Sequence, residues 1–306
     1  MKSEGPKVLH DVCGKPMLWY VVEACRQAGV SKLVVVVGHR KDDVIAAFAD
    51  QKDITWVEQR EQKGTGHAAL VCEAALRGFD GPVLIIAGDM PLIHNETLEK
   101  LLAENARSAH GLTLATSILD DPASYGRILR NEAGQLVGVV EDHDCTPQQT
   151  SIREVNVSYY CFDGARLFEV LHRLSCDNAK GEYYITDTVN VCIESGYGVG
   201  AVPAVPPEDA MGINSRADLA VVTRLMQNRI QAQWMSQGVS LVDPASTWIE
   251  TGASIGRDTV VLPFSYIGGG TVVGRECRIG PFGHVADGEV VDTGAFVGPA
   301  FAREHG

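Results

Sequence analysis

The sequence predicts an α/β domain with a mostly parallel sheet, followed by a short left-handed parallel β-helix. Three observations carry that prediction. Up to about residue 237, short β-branched runs alternate with helical stretches. Between Gly126 and Cys161 the pattern becomes that of antiparallel strands joined by a hairpin. After Pro244 an aliphatic residue returns every six positions.

In the first region, residues 17–29 have the apolar spacing of an amphipathic helix, and 32–37 form a β-branched run closed by Gly38. Residues 42–48 read as helix, 54–57 as strand, 65–79 as helix, 83–87 as strand, 96–106 as helix and 112–118 as strand. Such alternation predicts βαβ crossovers, because a chain that leaves one parallel strand must travel back before starting the next. Residues 127–130 and 135–140 flank Asn131-Glu132-Ala133-Gly134, a hairpin signal, and 154–162 add a further strand. An antiparallel insertion beside the parallel sheet is therefore expected. Ser215 opens a long helix running to about Gln237, with Asp218 favouring its N-terminal dipole.

Ile249, Ile255, Val261, Ile267, Val273, Ile279, Val285, Val291 and Val297 hold the six-residue spacing without a slip. A small residue follows most of them four positions later: Ala253, Thr259, Ser265, Thr271, Cys277, Gly283 and Ala295. Neither an α-helix nor an ordinary strand has this period. A three-sided coil does, with the aliphatic residue inside, the small one at the corner and Gly permitting the turn. Nine hexads make about three coils. So short a β-helix leaves apolar flank exposed, which predicts lateral self-association as a homotrimer.

Composition narrows the function. The 26 basic residues against 39 acidic ones give a net charge of −13. That argues against a nucleic-acid binder working by phosphate neutralisation over its surface. A local Lys or a divalent cation could still hold an anionic small substrate. No apolar run is long enough for a membrane span, and no secretory signal opens the chain. The eight cysteines include no Cys-x-x-Cys pair and no zinc spacing, so they read as reduced, mostly buried thiols of a cytoplasmic protein. Cys13 and Cys145 lie in polar stretches and could be more reactive, but ordinary reduced thiols are the better reading for both.

Several short motifs could carry chemistry, each with a plain alternative. Lys7, after a Pro-stiffened turn, could hold a phosphate or be a solvated lysine. Gly64-Thr65-Gly66-His67-Ala68 precedes a helix; it could admit a ligand to backbone N–H groups, or Thr65 could simply cap. Gln59 could read a base edge. At Ala87-Gly88-Asp89-Met90-Pro91-Leu92 an apolar strand runs into a carboxylate at the sheet's C-terminal edge, where ligands of such folds bind. Asp89 there suits a hard divalent cation. The alternative is helix capping, a role Asn95 fills better. Gly126, Glu141, Asn156 and the 180–187 stretch offer the carboxylate, amide and hydroxyl groups a sugar requires. Asn214 could cap the long helix or be a second oxygen ligand for the cation on Asp89. His67 and His143 read as ordinary hydrogen-bonded residues. No catalytic triad and no glycosidase carboxylate pair is evident.

Taken in order, these motifs resemble the N-acetylglucosamine-1-phosphate uridyltransferase family, bacterial sugar nucleotidyltransferases with a C-terminal left-handed β-helix. The matching segments are 6–10, 58–68, 88–92, 125–128, 140–141, 154–156, 181–187 and 212–214. The resemblance implies a Rossmann-like nucleotidyltransferase domain at 1–214, a linker helix at 215–240 and a hexapeptide-repeat β-helix at 241–306. It implies a Mg2+-dependent reaction of UTP with N-acetylglucosamine 1-phosphate, giving UDP-N-acetylglucosamine, a cell-wall precursor, and pyrophosphate. Carried onto this sequence, Gln59, Gly64 and Thr65 would hold uracil, and Ala87 and Gly88 would border the nucleotide. Lys7 would neutralise phosphate charge. Asp89 and Asn214 would bind Mg2+, and Gly126, Glu141, Asn156 and Asn214 would line the sugar site. Lys7 and Asp89 would be the catalytic pair.

Two departures stand out. The family opens with an apolar strand and a Gly-rich loop ending in Arg that cradles the triphosphate, whereas Met1-Lys2-Ser3 corresponds to residues just past that loop. The expectation is an upstream start or a truncated, impaired form. Bifunctional relatives also continue into acetyltransferase coils. Ile279-Gly280-Pro281-Phe282 matches the start of that region, but the basic residue expected next falls at Ala286, so no acetyl transfer is expected. The alternatives are transfer to another sugar 1-phosphate, or a non-catalytic sugar-nucleotide-binding assembly protein.

Overall fold

A computed structural model describes residues 1–122, 124–178 and 180–299. They form two compact units. One holds residues 2–9 and 18–212, the other Met1, 10–17 and 213 onward. The expected first domain therefore gives up residues 10–17. In that segment the short strands β1 (Asp11–Val12) and β2 (Lys15–Pro16) pair antiparallel. The Cys13 carbonyl accepts the Thr251 N–H at 2.8 Å, and Cys13 Sγ donates to the Thr223 carbonyl at 3.6 Å. Those hydrogen bonds are long-range, so no local pattern announces them.

The larger unit contains α1 (Met17–Gln27), β3 (Leu33–Val37), α2 (Lys41–Ala47), β4 (Ile54–Glu58), α3 (Thr65–Leu70), β5 (Pro82–Ile86), α4 (Asn95–Ser108) and β6 (Leu112–Ile118). It continues with β7 (Gly126–Arg130), β8 (Leu136–Val140), β9 (Glu154–Asp163), α5 (Gly164–His172), α6 (Thr188–Glu194) and β10 (Val199–Val202). Parallel pairs occur at β3/β4 and β6/β10. The antiparallel region is not beside the sheet but inside it. β9 pairs along one edge with β6. Its other edge is shared, β5 taking residues 159–163 and β7 taking 155–156. Ser158, at φ 60°, stands between the two partners, where the β6 register also shifts.

β9 is buried on both faces, which is why it reads as an almost continuous apolar run. Val155, Val157, Tyr159 and Cys161 enter one core with α1, α4, β3 and β4. Tyr160 and Phe162 enter the other with α5 and α6. Helices thus cover both faces, as expected of this class.

Two details differ from the sequence reading. α3 is six residues long rather than reaching Phe79. Past it the Cys72 and Glu73 N–H groups bond three residues back, to Ala69 and Leu70, so the regular ladder ends. The N-cap of α4 is His94, with Asn95 already inside the helix. β3 and β5 also line, along their whole lengths, one cavity of about 820 Å3. Among the described residues β3 pairs only with β4, and β5 only with β9. Val34–Val36 and Val83–Ile86 accordingly stay half-buried despite a composition suited to burial on both faces.

The smaller unit contains α7 (Arg216–Ser236) and ten two-residue strands, β11 (Ser240–Leu241) to β20 (Phe296–Val297). Val260 pairs with Arg278, and Ile267 with Val285, so each coil takes 278 − 260 = 18 residues, three hexads. The second residue of nearly every strand is the aliphatic one, and it points into the core. The corners are left-handed at Gly252, Asp258, Phe264, Gly270, Glu276, Phe282, Gly288 and Gly294, again every six residues. The expected glycine fills only half of them. Among the described residues no helix is long and apolar enough to cross a membrane.

Candidate active site

Pro6 starts a single 3-10 turn, Lys7–Leu9, closed by the Leu9 N–H on the Pro6 carbonyl at 3.1 Å. This turn aims Lys7 at the C-terminal end of β5. There the chain leaves the sheet through Ala87 and Gly88, and Asp89 follows. Lys7 Nζ lies 2.5 Å from Asp89 Oδ2, with the two side chains 34% and 27% exposed. A half-exposed ion pair contributes little to stability. Its reach to solvent instead leaves both charges accessible to a ligand. Lys7, Gly88, Gln59 and Thr65 all line the 820 Å3 cavity.

The Gly64-Thr65-Gly66 loop is fastened to residues 183–185. Gly64 has φ 101°, and a Cβ on it would sit 2.6 Å from the Tyr183 carbonyl oxygen. The Gly66 N–H donates to that same carbonyl at 2.8 Å, so this donor is already used. Thr65 is the first helical residue, not the cap; its hydroxyl accepts the Ile185 N–H at 3.0 Å. Gln59 Nε2 donates to the Gly64 carbonyl at 3.1 Å and meets His67 Nδ1 at 3.0 Å. With Nε2 so engaged, Gln59 offers a ligand its acceptor, Oε1. His67 is thus the hydrogen-bonded residue it was expected to be.

Gly126, Glu141 and Asn156, scattered over 31 positions, come together. Gly126 and Asn156 are register partners in β7 and β9. A Cβ on Gly126 would lie 3.6 Å from Glu141 Oε2. Two partners escaped the sequence reading as individuals. The Thr186 hydroxyl donates to Glu141 Oε1 at 3.0 Å. Asn156 Nδ2 donates to the Tyr160 hydroxyl at 2.7 Å. Thr186 was visible only as part of a motif, and Tyr160 only as a strand residue. Burial, with Glu141 and Asp144 nearby, raises the Asp187 pKa. The cluster therefore combines carboxylates, an amide and hydroxyls, groups suited to a polyhydroxylated ligand.

Asn214 belongs to the smaller unit. It is not the cap of α7. Ser215 is, in a capping box with Asp218, and Asp218 Oδ2 also accepts the Asn214 N–H at 2.9 Å. The cysteines follow the bland expectation. All eight are free thiols, and burial pushes Cys13 up to about 11.

A cation–carboxylate pair thus stands at a strand's C-terminal edge, in the same compact unit of an α/β fold as a cluster of carboxylate, amide and hydroxyl groups. The chain belongs to the MobA-like NTP transferase domain family, whose pattern matches residues 1–180. Residues 252–287 match the bacterial transferase hexapeptide repeat. Over 269 residues, 88% of this chain, it is 44% identical to the bifunctional protein GlmU of Geobacter metallireducens, covering 56% of that relative. It is 42% identical, over the same share, to GlmU of Caldanaerobacter subterraneus, covering 58% of it. The chain thus spans little more than half the length of these curated relatives. A crystal structure of UDP-glucose pyrophosphorylase complexed with UDP-glucose superposes with a TM-score of 0.56 at 17% identity, over 73% of this chain and 91% of that one. That similarity speaks for the fold.

Proposed function

We propose that this chain catalyses uridylyl transfer from UTP to N-acetylglucosamine 1-phosphate, in the cytoplasm, as a homotrimer built through the β-helix. A phosphate oxygen of the sugar phosphate attacks the α-phosphorus of UTP. The bond from that phosphorus to the bridging oxygen breaks, and pyrophosphate leaves. The nucleophile is already anionic, so no general base is needed; the work is alignment and charge compensation. Lys7 compensates phosphate charge. Gln59 Oε1 accepts from the uracil, with Gly64 and Thr65 shaping the edge of that site. Ala87 and Gly88 allow close approach beside Asp89. Glu141 and Asn156 hold the amino sugar against the bare backbone of Gly126.

Mg2+ fits the donor set. Among the described residues no cluster of three or more His, Cys, Asp or Glu side chains could cage a metal. Mg2+ does not require one, since it keeps waters and takes one or two protein oxygens besides substrate phosphates. Asp89 would hold it, with Asn214 as second oxygen donor and sugar contact. Bound there, it would supply positive charge at the triphosphate.

The observation that carries the reading is the Lys7–Asp89 pair in the same compact unit as the Gly126–Glu141–Asn156 cluster. The 44% identity to a GlmU supports it. The test is pyrophosphate release from Mg2+, UTP and N-acetylglucosamine 1-phosphate. We expect turnover that EDTA abolishes and that Asp89→Ala lowers by about 100-fold or more, the scale of losing a charge aimed at the transition state. An Asp89→Ala variant as fast as the parent, or no release at all, would sink the reading.

A further inference from the structure

We propose that Tyr160 is a positioning residue for sugar recognition, acting through Asn156; the inference rests on the proposed sugar site. The amide of Asn156 is held at both ends. Its Oδ1 accepts the Ser158 backbone N–H at 3.1 Å. A backbone N–H can only donate, so this contact fixes which end of the amide is oxygen. Nδ2 must then face the Tyr160 hydroxyl, 2.7 Å away, which accepts. One Nδ2 hydrogen and one Oδ1 lone pair remain to meet a ligand, in a single fixed orientation.

The anchor is rigid. Tyr160 is 1% exposed, its ring stacks on Phe162 at 6.2 Å, and its Cα is in register with Ile85 on one side and Leu114 on the other. Burial raises its pKa, which favours the neutral hydroxyl. The strand irregularity serves the same end. Ser158 adopts φ 60° where the edge of β9 opposite β6 passes from β5 to β7, and this turn sends its N–H back to Asn156. Without the hydroxyl, Nδ2 loses its acceptor and the amide is held at its Oδ1 end alone, by the Ser158 N–H, so its remaining hydrogen is no longer aimed in one direction.

The test is steady-state kinetics of Tyr160→Phe, Asn156→Ala and the double variant. Removing one well-made hydrogen bond corresponds to about 10-fold in affinity. For Tyr160→Phe we expect KM for N-acetylglucosamine 1-phosphate to rise about 10-fold. KM for UTP should stay unchanged and kcat within about 2-fold. The double variant should be no worse than Asn156→Ala, because Tyr160 acts through the amide that is gone. It leaves neither partner stranded, so it decides the question even if Tyr160→Phe folds poorly. A Tyr160→Phe enzyme with the parent KM, or a double variant whose loss is the product of the two single losses, overturns the inference alone. Absence of both turnover and calorimetric binding of the sugar phosphate in the unaltered chain removes the proposed function, and this inference with it.

Discussion

Gly64 shows how one residue can hold a loop shut. Its φ of 101° with ψ 177° lies where side chains other than glycine are strained, and the Tyr183 carbonyl closes the space a Cβ would need. Gly64→Ala should lower unfolding free energy by about 2–3 kcal/mol in urea titration. It should also weaken nucleotide binding, because Thr65 and Gln59 depend on the same loop. Two residues before Asn156, Glu154 is half buried. Burial pushes its pKa up, but hydrogen bonds from Arg130 (2.6 Å) and Thr116 outweigh that and leave it lowered. A lowered carboxyl stabilises the fold above its unfolded pKa, and that stability disappears as pH falls through the folded value. The gap in stability between parent and Arg130→Leu should therefore be widest near neutrality and shrink as the pH falls through the ordinary carboxylate range toward the lowered value. A gap constant with pH would contradict the linkage.

At the scale of elements, the β-helix corners carry stored strain. Asp258, Phe264, Glu276 and Phe282 adopt left-handed φ between 56° and 65°, where Gly252, Gly270, Gly288 and Gly294 occupy the equivalent turns. A left-handed non-glycine residue costs about 1–2 kcal/mol. Glu276→Gly should therefore raise the melting temperature, offset in part by the entropy glycine loses on folding. The join between α7 and the first coil is more fragile. Gln227 is buried, its Oε1 accepting the Ile249 N–H at 3.1 Å and its Nε2 donating to the Ile249 carbonyl at 2.5 Å. Gln227→Leu strands both backbone groups and should cost about 2–5 kcal/mol in chemical denaturation. The Glu276 and Gln227 substitutions act in opposite directions on one unit, so a shared sign would refute the account. The sequence disclosed the hexads but not the corner residues, because left-handed φ is imposed by the coil's closure and not by preference. It disclosed Ser215 as the start of α7, since a Ser–Asp capping box is local. It failed on the length of α3, where the N–H groups just past Leu70 turn to carbonyls three residues back.

At the scale of the whole molecule, the β-helix presents Val272 and Val290, 50% and 69% exposed, in register on one face, and Phe264 over Phe282 at a corner, stacked at 5.2 Å. Apolar ladders of this kind are what lateral packing of copies would cover. Light scattering should give three times the 32.9 kDa chain mass, and Val272→Glu with Val290→Glu should reduce it to one. A parent already monomeric would end the trimer reading. The candidate site divides in the same way as the fold. Lys7, Gln59, Gly64, Thr65, Asp89, Gly126, Glu141 and Asn156 were legible as polar or glycine residues interrupting apolar runs. Thr186 was legible only within the 180–187 stretch and Tyr160 only as a strand residue, because a buried hydroxyl looks like core until its partner is known.

Periodicity in the chain alone settled the two architectures, since burial must repeat as often as the backbone turns. It also located the carboxylate at the end of β5, because a strand that stops at Gly-Asp must release that side chain at the sheet's edge. Only the tertiary structure decided that β9 runs antiparallel within the sheet and that residues 10–17 pack with the second unit. It alone seated Asn156 between a serine N–H and a buried phenol. The first two depend on which distant segments meet, and the third on the left-handed turn at Ser158 where β9 changes partner, none of which leaves a trace in local spacing.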